Sequence, residues 1–270
     1  MGGVMESGKY IVAQGDQTEE DERLGLLAEF FDPFTHEYLT EAGIAPGWRC
    51  LEVGAGSGTV AAWMAEQVGD AGLVTAVDID TSRLGHLADA GADVREHDVL
   101  SAPVETGAFD LVHARAVLLH LPDPAQALAN MAAAVAPGGW LVIGDADFGS
   151  WGSATPEHPH AALFDAANKA IYAALDERGV MSPFLAGRHV GLFQELDMND
   201  IRASGRYEVI HGGSPGARFW QITATTTLPL FVDAGVIDEK TAETLIAIHD
   251  DPTFAYVPAT STVTMARRPA

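Results

Sequence analysis

The chain has 270 residues, 47% of them hydrophobic, enough to bury a sizeable core but too few for two full catalytic domains. Its 15 Lys and Arg stand against 38 Asp and Glu, a formal net charge of −23, so the surface repels polyanions and disfavours nucleic acid and anionic membrane as partners. No apolar run approaches the ~20 residues that span a bilayer, and the first residues lack the basic and apolar regions of a signal peptide, so the expected location is cytoplasmic.

Met1–Asp21 is polar and glycine-containing, with Tyr10-Ile-Val-Ala-Gln14 as its one packable stretch. Leu24, Leu27, Ala28 and Phe31 recur at helical spacing and predict a helix over Glu19–Phe31 that stops before Asp32-Pro33. A second short helix, Phe34–Ala42, ends at Gly43, and Pro46-Gly47 turns the chain into a strand. The two helices form a candidate lid ahead of a sheet.

Arg49–Gly58 reads Arg-Cys-Leu-Glu-Val-Gly-Ala-Gly-Ser-Gly, and Thr59–Val68 follows with Val60, Trp63, Met64 and Val68 at helical spacing. That is strand, tight turn, helix. Glycines at 54, 56 and 58 allow dihedrals closed to other residues and leave the backbone bare to a ligand, and the helix start offers unpaired N–H groups. No Lys-Ser/Thr follows, which excludes a Walker loop, and Thr59 stands where G-x-G-x-x-G needs its last glycine. Glu52 adds a carboxyl group that suits a ligand carrying an ammonium better than one carrying a pyrophosphate. Cys50, the sole cysteine, reads as a small buried side chain.

Leu73–Asp78 is a nearly continuous apolar run, as a buried parallel strand requires. Helix Arg83–Ala90, strand Asp93–His97, strand Phe109–Ala114, a helix carrying Ala127, Leu128, Met131 and Val135, and strand Trp140–Asp145 complete five alternations. The alternation implies a doubly wound, mostly parallel α/β sheet. Beyond Asp147 the pattern changes. Phe148–Pro159 reads as a loop, Ala161–Glu177 and Leu185–Leu196 as helices, and Ile201–Ile210 has strand character. Arg218–Ala234 fits neither period cleanly, because its four threonines favour strand. A helix over Asp238–His249 and a closing strand over Tyr256–Ala266 finish the chain.

The block Glu52-Val-Gly54-Ala-Gly56-Ser-Gly58 resembles motif I, [D/E]-x-G-x-G-x-G, of the class I methyltransferases that use S-adenosylmethionine. Three further stretches resemble that family in order and spacing: Asp98-Val99 in the third loop, Phe109–Pro124, and Leu128–Ile143. The resemblance covers roughly Cys50–Asp145. More loosely, Tyr10, Gln14 and Glu22-Arg23-Leu24 resemble the lid of small-molecule methyltransferases of secondary metabolism, as do Gly187-Arg188 and the final stretch from Asp251.

The resemblance implies a single Rossmann-like domain with a seven-stranded sheet, divided into a helical lid (1–46), a cofactor-binding core (47–147), and acceptor-pocket helices with the last strands (148–270). It also implies that Tyr10, Gln14, Glu52, Gly54, Ala55, Gly56, Gly58, Asp78, Ile79, Asp98, Val99, Ala114 and Arg115 hold S-adenosylmethionine. Read from the residues alone, Asp78 can accept the hydroxyls of a ribose, including that of NAD, or cap the Thr81-Ser82 turn. Asp98 can equally form an Asx turn.

The implied reaction is methyl transfer to O, N or C of a small aromatic or polyketide-like acceptor, with the protein a monomer or homodimer. Two other readings stay open: a protein that keeps the cofactor without methylating, and a nicotinamide-dependent oxidoreductase. Of ten histidines, His120 just past the fourth strand is the candidate general base. No further ligand at fixed helical spacing accompanies Glu157, His158 and His160, so no metal is expected. Phe148, Trp151, Phe164, Phe184 and Trp220 supply aromatic area beyond the fifth strand.

Overall fold

The computed structural model describes residues 17–270. Tyr10 and Gln14 lie outside that range. In chain order the elements are α1 (Gln17–Ala42), β1 (Arg49–Val53), α2 (Thr59–Val68), β2 (Leu73–Asp78), α3 (Gly85–Asp89), β3 (Asp93–Glu96), β4 (Phe109–Arg115), α4 (Pro124–Ala134) and β5 (Val135–Asp147). There follow β6 (Gly152–Ser153), α5 (Ala161–Glu177), α6 (His189–Glu195), β7 (Asn199–Arg206), β8 (Ile210–His211), α7 (Pro215–Asp233), α8 (Glu239–Ala247), β9 (Ala255–Val257) and β10 (Thr260–Arg267). They gather into two compact units.

The sheet unit comprises Phe31–Asp145, Leu185–Gly205 and Ser261–Ala270. Its seven strands run in the order β3-β2-β1-β4-β5-β10-β7. From β3 to β5 every pairing is parallel. Strand order reverses between β1 and β4, and in such sheets the crevice at the carboxyl ends of these two strands is where ligands bind.

Both faces of the sheet are covered because side chains alternate along each strand. Leu51, Val53, Val112, Ala114, Leu141 and Ile143 face one way, against Leu128 and Met131 of α4 and Leu192 and Phe193 of α6. Cys50, Leu111, Trp140 and Val142 face the other, against Tyr38 and Leu39 of α1 and Val60 and Met64 of α2.

The second unit comprises the described part of Met1–Phe30, Ala146–Phe184 and Arg206–Thr260. Around α5, α7 and α8 it carries a small antiparallel sheet of order β6-β9-β8. In this unit Glu22 accepts two hydrogen bonds from Arg218, at 2.9 and 3.0 Å.

Four expectations change. The two lid helices are one, α1, which runs through Pro33; the proline removes one backbone donor without ending the helix, since packed residues such as Thr35, Tyr38 and Leu39 follow it. The ambiguous Arg218–Ala234 stretch lies in a helix, α7. Ser214 caps it by accepting from Ala217 N–H, and Thr223, Thr225, Thr226 and Thr227 each donate a hydroxyl to the carbonyl four residues back, at 2.8–3.1 Å.

Strand β5 starts at Val135 rather than Trp140. Its pairing shifts register between Phe109 and Leu111, which absorbs the Pro137-Gly138-Gly139 segment. The single closing strand is two, β9 and β10, separated at Pro258, which has no N–H for a ladder.

Candidate cofactor site

Strand β1 delivers the chain into the glycine turn, where Gly54, Gly56 and Gly58 all have left-handed φ, +69°, +56° and +83°. Their reasons differ. A Cβ on Gly54 would meet Val117 Cγ2 at 2.3 Å, and one on Gly58 would meet Leu87 Cδ1 at 2.8 Å. At Gly56 the nearest atom would be a backbone oxygen at 3.9 Å. Gly54 and Gly58 are thus required by packing, while Gly56 presents bare backbone. Helix α2 begins at Gly58 with no side-chain cap, so its first N–H groups depend on another acceptor.

The turn is tied to β2. Gly54 N–H and Ala55 N–H both donate to the Val77 carbonyl, at 2.8 and 3.1 Å. Asp78, next along β2, accepts from Gly56 N–H at 2.9 Å and from Asp80 N–H at 3.1 Å. Asp80, not Asp78, caps the Thr81-Ser82 turn. Each oxygen of Asp78 keeps a lone pair for a further donor. Ile79 beside it is 70% exposed, unusual for so large an apolar side chain.

The β3 loop joins the same edge, since His97 N–H donates to the Asp78 carbonyl at 2.9 Å. Asp98 forms the Asx turn, accepting from Leu100 N–H at 2.9 Å. Val99 is buried, and its carbonyl accepts from Asn130 Nδ2 at 2.7 Å. Asn130, which the sequence reading missed, interrupts the apolar face of α4, and that interruption was the available signal.

At the end of β4, Ala114 is buried and Ala116 takes a left-handed φ of +54° although it is not glycine. Such strain persists only where its surroundings over-determine it. The Arg115 guanidinium donates to Asp32 at 2.7 Å and to Thr35 at 2.9 Å. His120 closes the short 3-10 helix Leu118–His120 and is half-buried.

Glu52 does not face outward. It is 3% exposed, and register places it opposite His113, whose Nδ1 lies 2.5 Å from Glu52 Oε2. With Nδ1–H donating, Nε2 accepts from the Tyr38 hydroxyl at 3.1 Å, and burial pushes the Tyr38 phenol up so that it keeps its proton. Burial likewise pushes the Cys50 thiol up to about 12. At the far end of β5, Asp145 and His189 are both buried, Oδ2 to Nε2 3.4 Å, yet not aligned for a hydrogen bond. Burial raises the Asp145 carboxyl above the ordinary range. In the second unit His158 meets Asp251 at 3.2 Å and accepts from His160 N–H.

A parallel sheet with a glycine turn after β1, a carboxyl group at the end of β2 and an Asx loop after β3 defines the Rossmann-like class that binds a nucleoside at its carboxyl edge. Within it, residues 23–201 match the family model described as a methyltransferase domain, and the chain belongs to this family. It is 36% identical over 130 residues to "Methyltransferase str3" of Strobilurus tenacellus, covering 48% of this chain and 46% of that protein. It is 32% identical over 149 residues to a ubiquinone biosynthesis O-methyltransferase of Bordetella avium, covering 47% and 59%. The chain spans about half the length of the curated relatives it matches.

Among solved structures, a methyltransferase of Bacillus halodurans C-125 superposes with a TM-score of 0.59 at 15% identity, over 87% of this chain and 98% of that one. Phosphoethanolamine N-methyltransferase 2 of Haemonchus contortus, in complex with S-adenosyl-L-methionine, gives 0.51 at 15% identity, over 93% and 53%. At such identities the likeness is one of fold.

Proposed function

We propose that this protein transfers a methyl group from S-adenosylmethionine to an O, N or C atom of a small aromatic or polyketide-like molecule. The observation that carries the reading is the Asp78 carboxyl group held against Gly56 N–H at 2.9 Å, which joins the acid of β2 to the glycine that, of the three in the turn, has open space above it. Those residues fit the group. Asp78 takes the ribose hydroxyls, Ile79 lies against the adenine, the Asp98-Val99 loop reads its edge, and backbone at Gly54–Gly58 and Ala114–Arg115 holds the amino-acid end. Tyr10 and Gln14, outside the described residues, are proposed as further cofactor-binding residues. Glu52, held by His113, acts as an acidic group behind the turn.

When bound, the sulfonium supplies an already activated methyl group. What the chain must do is hold donor and acceptor in line at near contact, an effect worth up to ~7–11 kcal/mol in favourable intramolecular cases. For a hydroxyl or amine acceptor, His120 is the proposed proton acceptor. The test is incubation with methyl-labelled donor and a panel of phenols, indoles and amines. Labelled product is expected; tight donor binding with no product from any acceptor would favour a protein that keeps the cofactor without methylating.

A further inference from the structure

In the second unit, directly after β5, four rings stand together: Phe148, Trp151, Tyr172 and Trp220. Phe148 and Tyr172 centroids are 4.5 Å apart, Trp151 and Tyr172 5.4 Å, and Trp151 and Trp220 4.7 Å with planes at 88°. All four are half-buried, and behind them Phe164 and Tyr256 are sealed at 1% and 0% exposure, packed on Trp151 at 6.2 and 6.1 Å. The result is a supported aromatic wall whose four front rings are each partly exposed. Phe184, by contrast, is 42% exposed.

The wall is pinned in place. Phe148 N–H donates to the Pro183 carbonyl at 3.1 Å, Asp147 accepts from Gly149 N–H at 2.9 Å, and Ser150 Oγ accepts from Thr260 N–H at 2.8 Å. A surface ordered beforehand loses little freedom when a ligand binds.

Two polar atoms in this wall are unexplained. Trp151 Nε1 and Trp220 Nε1 are buried and, among the described residues, have no hydrogen-bond acceptor. An indole N–H can only donate, and a buried donor without a partner is costly. Their edge-to-face contact can turn at most one N–H toward the other's π face, which leaves at least one in need of an oxygen. An ammonium ligand would bring no acceptor. Burial also keeps the Tyr172 phenol protonated, far above its ordinary range.

We infer that this wall binds a planar aromatic ligand bearing a hydrogen-bond-accepting oxygen, with its ring against these partly exposed rings and its oxygen on an indole N–H. That this ligand is the methyl acceptor rests on the proposed function; the binding site itself does not.

Three probes of similar outline test it on the full chain with S-adenosylhomocysteine present: 2-acetylnaphthalene, 2-ethylnaphthalene and 2-naphthyltrimethylammonium, measured by calorimetry. The ketone is expected to bind about tenfold more tightly than the hydrocarbon, the usual weight of one hydrogen bond to a lone buried donor. The preference should shrink toward unity in at least one of Trp151→Phe and Trp220→Phe, which keep a ring and lose the N–H. Equal binding of ketone and hydrocarbon, tighter binding of the ammonium, or an unchanged preference in both variants would overturn the inference. Titration of the wild-type chain with S-adenosylhomocysteine alone reports separately on the cofactor reading, whose failure leaves the probe preference interpretable.

Discussion

Glu52 and His113 form a buried acid–imidazole pair, 2.5 Å apart, across the β1–β4 ladder immediately before the glycine turn. Removing one member strands the other. His113→Leu is expected to lower unfolding stability by ~1–3 kcal/mol in urea titration, the cost of leaving a buried polar group without its partner. Glu52→Gln in the same chain should restore part of it. A single variant as stable as wild type would show that the pair is not coupled.

Gly54 and Gly56 separate packing from ligand approach. Both carry left-handed φ, so alanine at either costs ~1–2 kcal/mol from the backbone alone. Only Gly54→Ala adds overlap with Val117 Cγ2. Its melting temperature should therefore fall further than that of Gly56→Ala, and Val117→Ala should recover part of the loss in a double-mutant cycle. Equal melting temperatures for the two alanine variants would contradict this.

His249 is buried with Nδ1 on the Tyr256 hydroxyl at 2.9 Å, and burial lowers its pKa from 6.5 to about 4. Between those values the unfolded chain binds the proton and the folded chain does not. Stability is then fully present above about pH 6.5 and declines as pH falls toward 4, by roughly 3 kcal/mol in all. His249→Asn, which keeps an acceptor for Tyr256, should flatten that acid slope in melts at pH 7.5 and pH 5.

His120 tests the chemistry. If it takes the acceptor's proton, His120→Ala should lower kcat by ~10²-fold or more with little change in donor affinity. Full turnover at saturating acceptor would reduce His120 to packing.

What was legible in the chain followed local chemistry. The glycines at 54, 56 and 58, the acid closing Leu73–Asp78 and the Ala161–Glu177 helix are each set by neighbours in sequence, and each stands where its pattern put it. Contacts made across the sheet were not legible. His113 meets Glu52 only because β1 and β4 pair in one register, and Tyr38 reaches the same ring from 75 residues away. Helix α7 hid behind its threonines, whose strand preference gives way once each hydroxyl finds a carbonyl one turn back. The seven-stranded sheet matches expectation, whereas the small β6-β9-β8 sheet, built from strands of two or three residues, was not legible as a separate sheet.

The most direct measurement is calorimetric titration of the wild-type chain and Asp78→Ala with S-adenosylhomocysteine and, separately, with NAD. One equivalent of S-adenosylhomocysteine should bind, weakened by ~1–3 kcal/mol in the variant because polar groups lose their acceptor, while NAD gives no heat. Saturable binding of NAD, or S-adenosylhomocysteine affinity indifferent to Asp78, would contradict it.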